Sequence, residues 1–185
     1  MSRSELTPFS YVVLTLVGEG GAGPHDIVRM MRRGRIYWTA AESHYYAEPK
    51  RLARLGYLVA KTEPGRTRER THYELTEKGR AAIRRWLSVP AALPRIQNEA
   101  VVKLLAADLA GEEAALESLV RLREDVARAA AELDVADAVA QTLPQRERYL
   151  RLVHGLGRRL LAAHLDWLDE VEAELGRGGG AAAGR

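Results

Sequence analysis

The stretch Leu55-Gly56-Tyr57-Leu58-Val59-Ala60-Lys61-Thr62-Glu63-Pro64-Gly65-Arg66-Thr67-Arg68-Glu69-Arg70-Thr71-His72-Tyr73-Glu74-Leu75 decides the fold. Its ends, 57–62 and 71–75, are rich in β-branched and aromatic residues, and Pro64-Gly65 between them is a turn signal. This is a β-hairpin whose tip carries the guanidinium groups of Arg66, Arg68 and Arg70, diluted by Glu63 and Glu69. Upstream, Gly56 ends a helix that Thr39 can cap, with Tyr45, Leu52 and Leu55 on one face. Pro49 within it removes an amide donor and crowds the carbonyl of Tyr45, so the helix kinks or starts later than Thr39.

Further back, Pro24 opens a short helix through Ile27, Val28, Met30 and Met31, which ends in Arg32-Arg33-Gly34-Arg35 and is followed by an extended piece over 36–38. Thr7-Pro8 reads as cap and first turn of a helix over 8–18, which the glycine-rich segment 18–23 must break. Downstream of the hairpin, Thr76-Glu77-Lys78-Gly79 opens a fourth helix with Ala82, Ile83, Trp86 and Leu87 facing inward, ended by Pro90. Helix, helix, helix, hairpin, helix is the order of a winged helix-turn-helix.

The back half holds no strand-like run. Ile96, Val101, Leu104, Leu105 and Leu109 fit one helix, and Leu116, Leu119, Val120, Val126, Ala127 and Leu133 a second. After a break over 134–144, a long helix runs over 145–175, with Val153, Gly157, Leu160, His164, Trp167 and Val171 at the alternating spacing of an interhelical seam. The expected fold class is mainly α: a winged helix-turn-helix over 1–90, an all-helical region over 91–175, and a glycine- and alanine-rich disordered tail over 176–185.

Composition narrows the function. Of 185 residues, 46% are hydrophobic and 29% charged, as in a folded globular protein. No run approaches the length of a membrane helix and 1–7 lacks a signal-peptide pattern, so a cytoplasmic protein without membrane contact is the expectation. The absence of cysteine excludes disulfides, thiolate metal sites and cysteine nucleophiles. His25, His44, His72, His154 and His164 make no metal-ligand spacing, the glycines of 18–23 lack the Lys-Ser/Thr of a phosphate loop, and no nucleophile motif is present. Neither enzyme chemistry nor a cofactor is implied. Before Pro90 there are 16 Lys/Arg and 9 Asp/Glu; from Pro90 on there are 12 and 16. A basic front half points to a polyanion, although many basic patches are only solvated surface.

In a winged helix-turn-helix the third helix enters the major groove and the hairpin touches backbone or minor groove. Ser43, His44, Tyr46, Ala47, Lys50, Arg51 and Arg54 lie off the core face of this helix and are available to double-stranded DNA. Ser43, His44 and Tyr46 sit where base contact is expected, while Lys50 and Arg54, long cations one turn apart, suit phosphates. Arg66, Arg68 and Arg70 would supply the wing's charge. Competing readings have Tyr46 packed against its own domain and Arg51 paired with Glu48 or Glu42. The alternative for the whole chain is a winged-helix protein-interaction module or a non-specific nucleic-acid binder.

The sequence also resembles the PadR-type transcriptional regulators. The resemblance rests on Leu6-Thr7-Pro8-Phe9-Ser10-Tyr11-Val12-Val13-Leu14, on Tyr46-Ala47-Glu48-Pro49-Lys50-Arg51-Leu52 with Leu55-Gly56-Tyr57-Leu58, and on Tyr73-Glu74-Leu75-Thr76-Glu77-Lys78-Gly79. Pro94-Arg95-Ile96-Gln97-Asn98-Glu99 leading into Lys103-Leu104-Leu105 is similar to the start of the family's second region, in its Vir-like branch. Family members commonly carry proline directly after the tyrosine matching Tyr46, where this chain has Ala47. The resemblance implies a homodimeric repressor of nearby promoters that binds a two-fold site and is released by a small molecule or stress signal. The final helix would then pack against its mate through Val153, Leu156, Leu160, Trp167, Leu168 and Val171. A small hydrophobic effector could enter an apolar cavity at the dimer centre, with Trp86 and Trp167 as lining candidates.

Overall fold

The computed structural model describes the side chains of residues 5–34, 36–38, 40–64 and 69–176, and the backbone on to 182. It forms two compact units, Met1–Leu93 and Pro94–Arg185. The first begins with α1 (Pro8–Val17). Thr7 caps it: its Oγ1 accepts from the Ser10 amide at 3.2 Å while Ser10 Oγ accepts from the Thr7 amide at 2.9 Å, so two helix-end donors are satisfied reciprocally. Then follow α2 (Pro24–Arg33), α3 (Glu42–Arg54), strands β1 (Leu58–Glu63) and β2 (Arg70–Leu75), and α4 (Glu77–Leu87).

The strands pair antiparallel with Leu58 opposite Leu75 and Glu63 opposite Arg70. Ala22, between α1 and α2, adds a one-residue bridge to Tyr73, with amide-to-carbonyl bonds of 2.9 and 3.0 Å. Gly21 makes this possible: its φ is +70°, and a Cβ there would fall 2.8 Å from the Tyr73 carbonyl. Val13, Leu14, Val17, Ile27, Met31, Leu52, Leu58, Tyr73 and Ala82 fill a closed core into which all four helices and the hairpin project. At Gly79 a Cβ would sit 2.3 Å from the Tyr57 carbonyl, so glycine is what lets α4 lie directly on the entry to β1.

The second unit consists of α5 (Glu99–Leu105), α6 (Ala107–Ala110), α7 (Glu112–Ala140) and α8 (Pro144–Ala182). The two long helices form an αα-hairpin around Leu119, Leu168 and Val171, bordered by ion pairs from Arg123 to Asp169 (2.6 Å) and from Arg158 to Asp137 (2.5 Å). His154, 8% exposed, bonds Asp137 through Nδ1 at 2.5 Å, a buried polar tie between the helices. His164 Nδ1 donates to the Leu160 carbonyl at 2.7 Å, and its Nε2 faces the Asn98 amide at 3.5 Å. Among the described residues no helix is long and apolar enough to cross a membrane.

Several expectations need correction. The segment 36–38 is a turn closed on Gly34 rather than extended, and α3 starts from Ala41 instead of from a Thr39 cap; Thr39 lies outside the described residues. Pro49 interrupts nothing: α3 runs through it because its ring is fully buried in the core, and tertiary packing outweighs the lost amide bond. In α4, Trp86 is 42% and Leu87 71% exposed, because the core reaches only Ala82 and Ile83; Trp86 stacks on Tyr11 with ring centroids 4.8 Å apart. The helix expected around 96–109 is split at Ala106, whose ψ of 0° departs from helical values, and Ile96 precedes it at 76% exposure. The break expected from 134 is confined to 141–143, because 134–140 contains neither glycine nor proline and Pro144 is placed to start the next helix. Helix α8 continues to Ala182, beyond the expected end at 175; residues 183–185 lie outside the described residues.

The seam of α8 is also shifted by one residue at alternate positions. His154, Gly157, Leu161, Leu168 and Val171 face α7, whereas Val153 and Leu156 are 45% and 50% exposed and Leu160 and Trp167 are half-buried. Leu168 and Val171, expected to meet a second chain, are buried against their own chain's Leu119. A heptad pattern states that a helix has a partner but not which one, and here the intramolecular hairpin takes it.

Candidate nucleic-acid interface

The outer surface of α3 presents Ser43, Ala47, Lys50 and Arg54, spaced four, three and four residues apart and all exposed. That periodicity keeps them on one stripe along the helix. Lys50 and Arg54 form no ion pair among the described residues, so their charge is available to a ligand. Tyr46 lies beside the stripe, half-buried, its ring edge-on to His25 of α2 at 5.9 Å with its hydroxyl 3.4 Å from His25 Nδ1. His25 therefore stands at the border of this surface. The sequence reading missed it, although its place directly after Pro24 at the helix start was the available signal.

Two residues expected on the reading face are turned elsewhere. His44 is exposed but packs towards Phe9, with ring centroids 6.4 Å apart, at the flank of the helix. Arg51 is committed inward: its Nη2 and Nε donate to Glu48 at 2.7 and 2.9 Å, and it also reaches Ser10 Oγ and the Glu5 carbonyl, each at 3.0 Å. Ser10, fully buried, donates to Glu48 Oε1 at 2.7 Å. Burial works against the charge of Glu48, but the hydrogen bonds from Arg51 and Ser10 outweigh it and hold the carboxyl below the usual carboxylate range. Donating to Glu48 in turn raises the pKa of the Arg51 guanidinium. Ser10, Glu48 and Arg51 thus clamp the middle of α3 onto α1.

In the wing, Arg70 is exposed and pairs with Glu63 across the hairpin at 3.1 Å, while His72 approaches the same carboxylate at 3.8 Å. Arg66 and Arg68 lie outside the described residues. On α2, Arg29 and Arg32 are neutralised by Asp26 and Glu42. Of the effector candidates, Trp86 is stacked on Tyr11 and Trp167 packs against the Leu119–Leu168 cluster, so each is engaged within its own unit. Among the described residues no group of three or more His, Asp or Glu could hold a metal ion.

Three helices, a paired wing and an outward cationic stripe on the third helix, followed by a helical hairpin, define a winged helix-turn-helix fold. Residues 96–176 match the family described as virulence activator alpha, C-terminal. No curated protein matches the chain in sequence. Among solved structures, Bacillus subtilis PadR in complex with operator DNA superimposes with a TM-score of 0.76 at 19% identity, covering 91% of this chain and 99% of that one. The Vibrio cholerae virulence activator AphA gives 0.70 at 25% identity, over 91% and 98% of the two chains. A PadR-like transcriptional regulator from Bacillus cereus gives 0.78 at 12% identity, over 96% and 99%. The Bacillus subtilis protein is also known in complex with p-coumaric acid (TM-score 0.65 at 20% identity, over 90% and 98%). These likenesses show that the chain has the fold of the PadR-type winged-helix proteins, with a C-terminal region similar to the virulence activator alpha family.

Proposed function

We propose that the chain is a homodimeric, sequence-specific DNA-binding repressor that responds to a small molecule. The observation that carries DNA reading is the stripe of Ser43, Ala47, Lys50 and Arg54, exposed on a helix that the Ser10, Glu48 and Arg51 side chains hold in place. A short hydroxyl and a methyl at its first two positions can approach base edges and thymine methyl groups, and the two cations beyond them suit phosphates. The structure of Bacillus subtilis PadR on operator DNA supports the same use of this fold here.

Dimerisation is supported by Tyr149, Leu152 and Leu156, exposed at 65%, 64% and 50% on the first half of α8, where a monomer would leave an apolar ridge in water. Two copies would also supply the two reading helices that a two-fold site requires. Repression follows from the simplest mode of action, occupancy of a promoter, which needs no contact with polymerase. The p-coumarate complex of the Bacillus subtilis protein supports control by a small molecule.

The test is fluorescence anisotropy with DNA from upstream of the chain's own gene and a shuffled control at several salt concentrations. A preference of about a thousandfold or more for the native fragment is expected. Lys50→Ala and Arg54→Ala should each weaken binding to both fragments and lower the salt slope by about one. Equal binding to both fragments with an unchanged slope in these variants would overturn the assignment.

A further inference from the structure

A cleft of about 420 Å³ opens at the flank of α3, lined by Thr7, Phe9, Trp38, Ala40, His44, Ala47 and Glu48. It lies wholly within the first unit. Its size is in the range of small-molecule sites. Most of its wall is ring or methyl: Phe9 is tilted against both His44 and Tyr45, with centroid distances of 6.4 and 5.7 Å, and Trp38 is 36% exposed beside it. An indole kept half in water at the rim of an aromatic cleft is not explained by the core, which ends at Ala40.

Among the described lining residues, Glu48 is the one whose side chain is charged irrespective of histidine protonation. Its side chain is only 12% exposed, and Arg51 and Ser10 engage it from the α1 side. Oε1 receives two donors and Oε2 receives one, so acceptor capacity remains on Oε2. Arg51, which neutralises Glu48, does not line the cleft. A ligand in the cleft therefore has aromatic faces and a carboxylate with spare acceptor capacity to engage, a combination that favours a flat cation, through the ring quadrupoles and a charge-assisted hydrogen bond, over an anion, which has no donor to offer that carboxylate.

We propose that this cleft is a binding site for a small, flat aromatic cation, an amine or amidine, held by Phe9, Trp38 and His44 with its charged end at Glu48. The cleft wall includes Ala47, which also belongs to the reading stripe, so occupancy and DNA binding are coupled. This second part rests on the DNA-reading function proposed above; ligand binding itself does not.

The experiment uses the full chain and p-aminobenzamidine, whose fluorescence rises in an apolar environment. Saturable binding of one probe per chain is expected, with benzamidine displacing it at a concentration at least about tenfold lower than benzoate, an anion of nearly the same shape. Trp38→Ala, at a solvent-exposed position, should weaken the probe at least about tenfold, and Glu48→Gln should erase the preference for cation over anion. Should Glu48→Gln fail to fold by circular dichroism, Trp38→Ala and the benzamidine-to-benzoate ratio still decide. Equal displacement by the two competitors, or an unchanged affinity in Trp38→Ala, would overturn the site. A probe affinity that shifts when upstream DNA is added supports the coupling, by reciprocity of linked equilibria. An unshifted affinity with DNA bound refutes the coupling alone, and absence of any DNA binding refutes the proposed function while the probe titration stands.

Discussion

The two units reach stability by different routes. Among the described residues, the first closes on itself with fifteen buried hydrophobic residues in one cluster, while the second has three in its cluster, strung along a two-helix hairpin. The second also shows the larger run of uncovered apolar side chains, from Val101, Val102, Leu105 and Leu109 to Tyr149, Leu152 and Leu156. An amphipathic helix pair buries one face of each helix and has nothing to place on the other, so it gains little until something covers it. The first unit is thus closed by its own core, and the proposed dimer would cover the face that the hairpin leaves exposed.

The largest effect should come from breaking that association. Leu152→Glu with Leu156→Glu should turn a dimer into a monomer at micromolar concentration, raising the dissociation constant by about a hundredfold or more, as read by light scattering after size exclusion. A dimer that persists would show that the ridge on α8 is not the interface. Next, Leu52→Ala should cost about 2 to 5 kcal/mol in urea denaturation, since Leu52 is fully buried in the closed core, and its effect should not depend on protein concentration. Stability of the second unit should depend on concentration, and that difference is what separates the two routes.

The smallest effect concerns acid. Asp137 is held below the usual aspartate range, first by its hydrogen bond to His154, which with Arg158 prevails over desolvation. A carboxyl whose folded pKa lies below its unfolded one stabilises above the unfolded value, about 3.9, and that contribution is lost as pH falls through the folded value. Asp137→Asn should therefore flatten the acid limb of thermal unfolding of the helical unit below about pH 4, with stability at neutral pH lowered, as followed by circular dichroism. An unchanged acid limb would mean that the tie between α7 and α8 does not contribute to stability.

The front half was readable because its signals are local. Thr7-Pro8, the Pro24 start, Gly56 and Thr76 mark helix ends through bonds made within a few residues, and the hairpin follows from composition plus one Pro-Gly turn. What sequence could not decide was the partner of a side chain. For Arg51 the sequence left DNA, Glu48 and Glu42 as alternatives, and the structure gives it Glu48, shared with Ser10 from far along the chain. His44 reads as a base contact until Phe9 is found beside it. The α8 seam has the right period and the wrong phase, because sliding by one residue at alternate positions leaves apolar side chains at most sites of either stripe. In the reading helix, the spacing of Ser43, Ala47, Lys50 and Arg54 was legible; which neighbours were already occupied was not.

Helix α3 begins at Ala41 without a side-chain cap, contains a proline and is clamped by Ser10, Glu48 and Arg51. It owes its shape to the domain and little to its own residues, so as an excised peptide it would not hold a helical register. Under the proposed function, recognition and scaffold are consequently separable along this one helix: the four outward positions can vary to follow a changing operator, while the inward ones must stay as they are for any operator to be read.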